Sequence, residues 1–128
     1  MKAESNPLPV RVLVVDDSAF MCSALSRMIA SDPSLRVVAI AKDGREALEK
    51  IHALQPDVVT LDVEMPGFSG LETLKRIMRE VPRPVIMVSS FTQRGAEASL
   101  EALDLGAFDY VPKHWLQGRW MSVRSAIS

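Results

Sequence analysis

The sequence predicts an α/β protein in which a doubly wound sheet of five parallel strands carries helices on both faces. Short apolar runs alternate along the chain with stretches whose apolar residues recur every three or four positions. The runs are apolar almost throughout, which is typical of strands buried on both sides by helices. Such an alternation predicts right-handed crossovers between parallel strands.

The boundaries of the elements follow from residues that stop strands and helices. Pro33, Pro56, the pair Pro82 and Pro84, and Gly106 interrupt the pattern, and the polar stretch 89–95 predicts a loop before the fourth helix. The predicted strands are 10–15, 35–41, 58–61, 85–88 and a short one near Tyr110 and Val111. The helices between them are marked by apolar stripes: Met21, Leu25, Met28 and Ile29; Ala47, Leu48, Ile51 and Leu54; Leu71, Leu74, Ile77 and Met78; Ala98, Leu100, Ala102, Leu103 and Leu105.

The two ends of the chain differ from this repeating pattern. Residues 1–9 are polar and contain two prolines, so we expect a flexible leader, followed by one domain over 10–128. A last helix over 115–128 is predicted from Leu116, Trp120, Val123 and Ile127, which are spaced by 4, 3 and 4 positions, although Gly118 disfavours it.

Composition restricts the class of protein. A chain of 128 residues fits one domain, and 15 basic against 16 acidic residues leave a net charge of -1. This balance gives no field that would steer the molecule to nucleic acid or an anionic membrane, so neither is an expected partner. Cys22 is the single cysteine and cannot form an internal disulfide. No apolar run approaches the ~20 residues that span a bilayer, and we expect a cytoplasmic protein.

Charged and polar residues stand where the predicted strands end. Parallel strands bring their carboxyl ends to one edge of the sheet, where ligands of such folds bind. The residues at these ends are Asp16 and Asp17, Asp62, Ser89 and Ser90, and Lys113. Each has an ordinary structural explanation, such as a helix cap, a turn or a surface charge. Together they predict a site with three carboxylates, a hydroxyl and an ammonium group.

Three clustered carboxylates need a counter-charge. Two unit charges ~4 Å apart repel by about 4 kcal/mol at an effective dielectric constant of ~20. A hard divalent cation with oxygen ligands relieves this repulsion, and Mg²⁺ suits a shallow site that keeps several waters. A carboxylate beside the ion can attack phosphorus to form an acyl phosphate. We expect Asp62 to be the nucleophile, because it precedes a loop with Pro66, Gly67 and Gly70 that leaves room for a donor.

Four segments resemble the receiver domains of two-component response regulators. They are VLVVDDS at 12–18, LDVEMPGFSG at 61–70, PVIMVSS at 84–90 and GAFDYVPK at 106–113, and together they span about 10–113. The resemblance implies a flavodoxin-like sheet with strand order 2-1-3-4-5 and a sensor histidine kinase as phosphoryl donor. The roles that it implies are the phosphoacceptor for Asp62, a direct Mg²⁺ ligand for Asp17, a ligand acting largely through water for Asp16, a backbone carbonyl ligand for Glu64, the hydroxyl that follows the phosphoryl group for Ser89, its ion-pair partner for Lys113, and the aromatic that changes rotamer for Tyr110.

A narrower resemblance is to the regulatory half of the chemotaxis protein-glutamate methylesterase, CheB. It is carried by DDSAFMCSALSRMIASDP, KDGREALEKI and the segment from PVIMVSS to YVPK. In that family the receiver covers the active site of a C-terminal esterase domain and releases it when phosphorylated. We therefore expect a methylesterase domain as the output partner, outside this chain. The alternative is a stand-alone response regulator that acts through protein-protein contacts.

Three features bear on the function: the chain after Lys113, the residue at position 114 and the loop after the first strand. After Lys113 the chain has 15 more residues and no G-x-S-x-G elbow, so we expect no catalytic domain of its own beyond self-phosphorylation and dephosphorylation. His114 stands where the family usually has proline, and since a cis bond before a non-proline residue costs about 3–4 kcal/mol, we expect a trans bond and a shifted loop. A flavin or nucleotide binder is disfavoured, because DDSAF after the first strand would repel phosphate.

Overall fold

The computed structural model describes residues 8–65, 69–89 and 93–113, without the side chains of residues 93 and 94. It confirms the predicted alternation of strands and helices. The elements in chain order are β1 Val10–Val15, α1 Ala19–Ala30, β2 Leu35–Ala41, α2 Gly44–Leu54, β3 Val58–Asp62, α3 Gly70–Glu80, β4 Val85–Ser89, α4 Gln93–Asp104 and β5 Asp109–Pro112.

The strands form one parallel sheet in the order β2-β1-β3-β4-β5, as expected. Helix α1 packs on one face through Cys22, Leu25 and Ile29, and α2, α3 and α4 pack on the other. Alternate residues of β1 serve the two cores, because successive side chains of a strand point to opposite faces. The central strands are therefore mostly apolar on both sides, which explains their largely apolar sequences.

Local sequence explains where the helices begin. Ser18, Asp43 and Ser69 are the N-caps of α1, α2 and α3, and each side chain accepts a hydrogen bond from the backbone N–H three residues on. These oxygens satisfy donors that have no partner within the helix. Helix α2 ends at Gln55, whose φ of 51° lies in the left-handed region.

Two arginines bind carbonyls at the edge of the sheet where the strands begin. Arg11 Nη1 donates to the carbonyl oxygens of Leu54 (2.7 Å) and Gln55 (2.8 Å). Arg83 Nη1 donates to the carbonyl of Pro56 (2.6 Å) and its Nε to that of Val81 (2.9 Å). The carbonyls that terminate α2 are thereby tied to β1 and to the segment before β4.

The sequence prediction was wrong about the start of α4 and about the burial of Leu54. The loop predicted to run to residue 95 is shorter, since α4 already begins at Gln93, and Gly95 lies within the helix. Leu54 was assigned to the inner stripe of α2 but is 36% exposed at the end of that helix. Leu100, at 58% exposure, likewise points away from the core despite its place in the apolar pattern of α4.

Some predictions fall outside the described residues. These are the last helix over 115–128, the Lys113-His114 bond and all but the end of the leader, so each stays a prediction. Among the described residues, no helix combines the length and apolar character that crossing a bilayer requires.

Candidate functional site

Three carboxylates meet at the edge where the strands end. Asp16 directly follows β1, Asp17 comes next, and Asp62 is the last residue of β3. One oxygen from each lies within 4.8 Å of the others. Asp16 and Asp62 are almost fully buried, at 1% exposure each, while Asp17 is exposed. The cluster predicted from the strand ends is thus present, with one open side.

Asp16 is held by the turn between β1 and α1. Its backbone N–H donates to the carbonyl of Ala41, which extends the pairing of β1 with β2 by one residue. Its Oδ1 accepts the N–H of Ser18 at 2.9 Å, and its carbonyl accepts the Cys22 thiol at 3.2 Å. Both backbone and side chain are therefore oriented by contacts on α1 and its cap.

Asp62 is held by the strand and by the turn that follows. Its Oδ1 accepts the N–H of Glu64 at 3.2 Å, and the next residue, Val63, donates its N–H to the carbonyl of Val88. The other oxygen, Oδ2, is buried and accepts no hydrogen bond from any residue that the structure describes. A buried carboxylate oxygen left in this way requires a cation or a proton.

Lys113 connects two of the acids. Its Nζ lies 3.4 Å from Asp16 Oδ2 and 3.4 Å from Asp62 Oδ1. The side chain is only 24% exposed, so water screens these contacts less than it would on an open surface. The lysine follows β5, and it therefore reaches past β4 to the ends of β3 and β1.

The protonation behaviour of the site follows from this packing. Burial and the charge of Asp16 raise the pKa of Asp62 to about 7, although Lys113 and the Glu64 N–H oppose the shift. Burial works against the charged form of Lys113, but Asp62 and Asp16 outweigh it and raise the pKa of the lysine. The ammonium group of Lys113 is therefore too little to hold the pKa of Asp62 at its ordinary value.

The other predicted site residues belong to β4, β5 and the turn after β3. Ser89 ends β4, is 3% exposed, and follows Val88, the partner of Asp62 in the sheet. Tyr110 is half-buried in β5 and packs against the core on the α2, α3 and α4 face. The side chain of Glu64 is exposed, while its backbone lies beside Asp62.

Sequence reasoning missed the part played by Gly70, which it had used only as a loop residue. A Cβ at this position would lie 2.2 Å from the carbonyl oxygen of Asp62 and 2.7 Å from Val63 Cα. The Gly70 N–H donates to the carbonyl of Val63 at 2.9 Å. The first residue of α3 therefore packs directly on the backbone of the acidic strand end. A glycine at the first position of a predicted helix was the available signal.

A cavity of about 500 Å³ opens beside the acids. Asp17, Glu64, Ser69 and Ala98 are among the residues that line it. It lies between the loop after β3 and helix α4. The exposed acid of the cluster, Asp17, therefore faces open space.

The donor set fits a hard divalent cation. Three carboxylates, each with one oxygen within 4.8 Å of the others, offer the oxygen ligands that Mg²⁺ takes in proteins, and Asp16 and Asp62 each have a buried oxygen that accepts no hydrogen bond from a described residue. The described part of the cluster contains carboxylates and no imidazole or thiolate ligand, which disfavours zinc or copper.

Comparison with known proteins agrees with the geometry. The family model of the response regulator receiver domain matches residues 12–123. A protein-glutamate methylesterase/protein-glutamine glutaminase of Nitratidesulfovibrio vulgaris is 62% identical over 104 residues, and one of Pyrococcus abyssi is 57% identical over 104 residues. Each alignment covers 81% of this chain but only 28% of the relative, so the chain spans less than a third of these proteins.

Two solved structures share the fold closely. The response regulator domain of Thermotoga maritima CheB is 45% identical, with a TM-score of 0.82, over 93% of this chain and 96% of that one. The receiver domain of the putative response regulator NarL from Mycobacterium tuberculosis is 31% identical, with a TM-score of 0.81, over 94% and 98% of the two chains. With the family match and the site at the sheet edge, these likenesses identify the chain as a member of the response regulator receiver family, of the CheB type.

Proposed function

We propose that this receiver domain accepts a phosphoryl group on Asp62 from a sensor histidine kinase, with Mg²⁺ bound between Asp16, Asp17 and Asp62. The observation that carries the proposal is the buried Asp62 Oδ2, which has no hydrogen-bond partner among the described residues and lies in a cluster of three acids. When bound, Mg²⁺ would neutralise charge on the transferring phosphoryl oxygens.

The residues of the chain itself would divide the remaining tasks. Asp62 attacks phosphorus, and the bond from phosphorus to the histidine nitrogen of the donor breaks as the aspartyl phosphate forms. Lys113 already lies 3.4 Å from Asp62 Oδ1 and would pair with an added phosphoryl oxygen. The backbone carbonyl of Glu64 would complete the metal ligands.

The response to phosphorylation would pass through Ser89 and Tyr110. The Ser89 hydroxyl, at the end of the strand next to Asp62, would donate to a phosphoryl oxygen. Tyr110 is half-buried in β5 and would change rotamer as Ser89 moves, altering the surface of α4 and β5. Two-state elements of this kind let a local charge change bias a remote surface.

The output that we propose is control of a methylesterase domain in a longer protein, acting in the cytoplasm. The support is the identity of 62% to a protein-glutamate methylesterase of which this chain matches 28%. The alternative output is contact with a separate protein. Sequencing the gene beyond this segment separates the two, since the first requires a serine hydrolase domain in the same polypeptide.

Phosphate transfer to Asp62 is tested with acetyl phosphate and Mg²⁺. We expect the unaltered chain to gain one acid-labile phosphate and Asp62→Ala to gain none, as measured by intact-protein mass. Asp104→Ala is the matched control, because it removes an exposed aspartate of α4. Full labelling of Asp62→Ala would show that another residue is the acceptor.

The metal site is tested independently of transfer. Asp17→Ala removes the one exposed carboxylate of the cluster, and we expect Mg²⁺ affinity to fall at least about tenfold because two acids remain where three were. Titration of Mg²⁺ followed by NMR of the Asp16 and Glu64 amides gives the affinity. An affinity equal to that of the unaltered chain would contradict the assignment of Asp17.

A further inference from the structure

A groove runs between helix α1 and the edge strand β2, on the sheet face opposite α4. Its volume is about 570 Å³, within the range of ligand sites. The α1 wall consists of small residues spaced by one helical turn: Ala19, Ser23, Ser26 and Ala30. Ile40, which is 38% exposed, forms part of the other wall. Small side chains allow a second helix to approach closely.

The groove also carries a distinct charge. Arg27 on α1 and Lys42 after β2 line it, and neither forms an ion pair with an acidic side chain that the structure describes. Ser26 Oγ is buried and has no hydrogen-bond partner among the described residues. An apolar segment flanked by carboxylates would satisfy these features.

Helix α4 of the same chain presents such a segment. Leu100 is 58% and Leu103 is 37% exposed, and the outward face also carries Glu97, Glu101 and Asp104. Glu97, Leu100, Glu101 and Asp104 recur at helical spacing, so they form one stripe. None of the three acids pairs with a described basic side chain, and α4 has no basic residue in its last turn. Both α1 and α4 contain 12 residues, about 18 Å of helix.

We propose that the α1–β2 groove of one copy binds helix α4 of a second copy. The two surfaces lie on opposite faces of the sheet, so one molecule cannot join its own pair, and the contact is head-to-tail. Leu100 and Leu103 would cover the small residues of α1, and the acids of α4 would face Arg27 and Lys42. The contact needs no phosphoryl transfer at Asp62, so it is tested without Mg²⁺ or a phosphoryl donor.

A single helix in a groove buries less than the ~800 Å² per partner that stable complexes use, so we expect dissociation constants of about 0.1–1 mM. Sedimentation velocity of the 128-residue chain from 20 μM to 1 mM, without Mg²⁺ or phosphate donor, should show the mean mass rising with concentration. Raising NaCl from 50 to 500 mM should lower the association constant by about threefold or more, because salt screens the ion pairs between the acids of α4 and the basic residues of the groove.

Paired variants identify the two surfaces. Arg27→Glu with Lys42→Glu disables the groove, and Leu100→Ser with Leu103→Ser disables the helix, so each variant alone should stay monomeric. Their equimolar mixture should reach the mass of two chains and no more, since one intact groove and one intact helix remain. Lys75→Glu, which reverses the charge at an exposed position of α3 outside both surfaces, is the control and should associate like the unaltered chain. An unaltered chain that stays monomeric at 1 mM, a groove variant that still associates, or a monomeric mixture would overturn the proposal.

Discussion

Gly70 shows how one residue sets the position of the acids. Because a Cβ there would lie 2.2 Å from the Asp62 carbonyl oxygen, any larger residue must displace the backbone of the strand end. The carboxylate of Asp62 and the amide of Glu64 belong to this same turn. The precision of the cluster therefore depends on the absence of a side chain.

We predict that Gly70→Ala lowers the free energy of unfolding by about 2 kcal/mol or more and also impairs phosphate uptake. The matched control is Gly106→Ala, which strains a φ of 110° after α4 but meets only the Met78 side chain. Urea unfolding and labelling by acetyl phosphate measure the two effects. Both variants should lose stability, and only Gly70→Ala should lose labelling; normal labelling of Gly70→Ala would contradict this account.

The candidate site was accessible from sequence at the level of residue types and strand ends. Asp16, Asp17, Asp62 and Lys113 could be predicted to converge, because parallel strands end at one edge. The double contact of Lys113 with Asp16 and Asp62 could not, since it depends on how far a side chain reaches across β4. Packing at this level is decided by tertiary geometry and leaves no local pattern.

Among the elements, helix α2 depends on arginines from other parts of the chain. The carbonyl of Pro56, a buried residue, accepts a hydrogen bond from the guanidinium of Arg83. The carbonyl of Leu54 accepts one from the guanidinium of Arg11. These bonds satisfy acceptors that the end of the helix leaves open. The link from the helix end to the sheet thus uses side chains in addition to the backbone bond from Asp57 N–H to the Arg11 carbonyl.

We predict that Arg83→Ala lowers the free energy of unfolding by about 1–3 kcal/mol, because it leaves carbonyls without donors. Arg79→Ala is the control: the Arg79 side chain is 70% exposed and forms a 4.0 Å ion pair with Glu80, so its loss should change stability by less than about 0.5 kcal/mol. Urea unfolding at pH 7 compares them. Equal stability of the two variants would show that the bonds of Arg83 are replaced by water without loss.

Strands were easier to predict than helix limits. The apolar run over residues 12–15 of β1 reflects burial on both faces, and the predicted bounds of the strand agree with the structure. The start of α4 was missed because Gly95 and polar neighbours favour a loop locally, while the helix continues through them. Leu54 was assigned to the inner stripe of α2 from spacing, and Leu100 belongs to the apolar pattern that predicted α4, but spacing alone does not distinguish a buried position from an exposed one at the end or rim of a helix.

For the molecule as a whole, the acidic cluster reduces stability in the absence of metal. The pKa of Asp62 is about 7 in the folded chain, against the ordinary value of 3.8 that we take for the unfolded chain. Between these values the folded state retains a proton that the unfolded state has released. The free energy of unfolding must therefore fall as pH rises through this window.

We predict that the metal-free chain loses about 3 kcal/mol of stability from pH 4.5 to pH 7.5 through this group, and that Asp62→Asn removes most of the loss. Mg²⁺ should restore stability at pH 7.5 in the unaltered chain more than in Asp62→Asn, because it binds the folded state. Urea unfolding at both pH values, with EDTA or Mg²⁺, gives the comparison. Identical pH profiles for the two proteins would contradict the buried charge as the cause.

The position of Lys113 has a mechanical implication for signalling. A single ammonium group is shared between acids that end the first and third strands, yet its own backbone belongs to the chain after the fifth. Extra negative charge at the end of the third strand would draw the ammonium group away from the first strand. The backbone of Lys113 would then move with its side chain. Lys113 would then couple a gain of charge beside β3 to a displacement of the backbone that follows β5, the strand at the edge of the sheet.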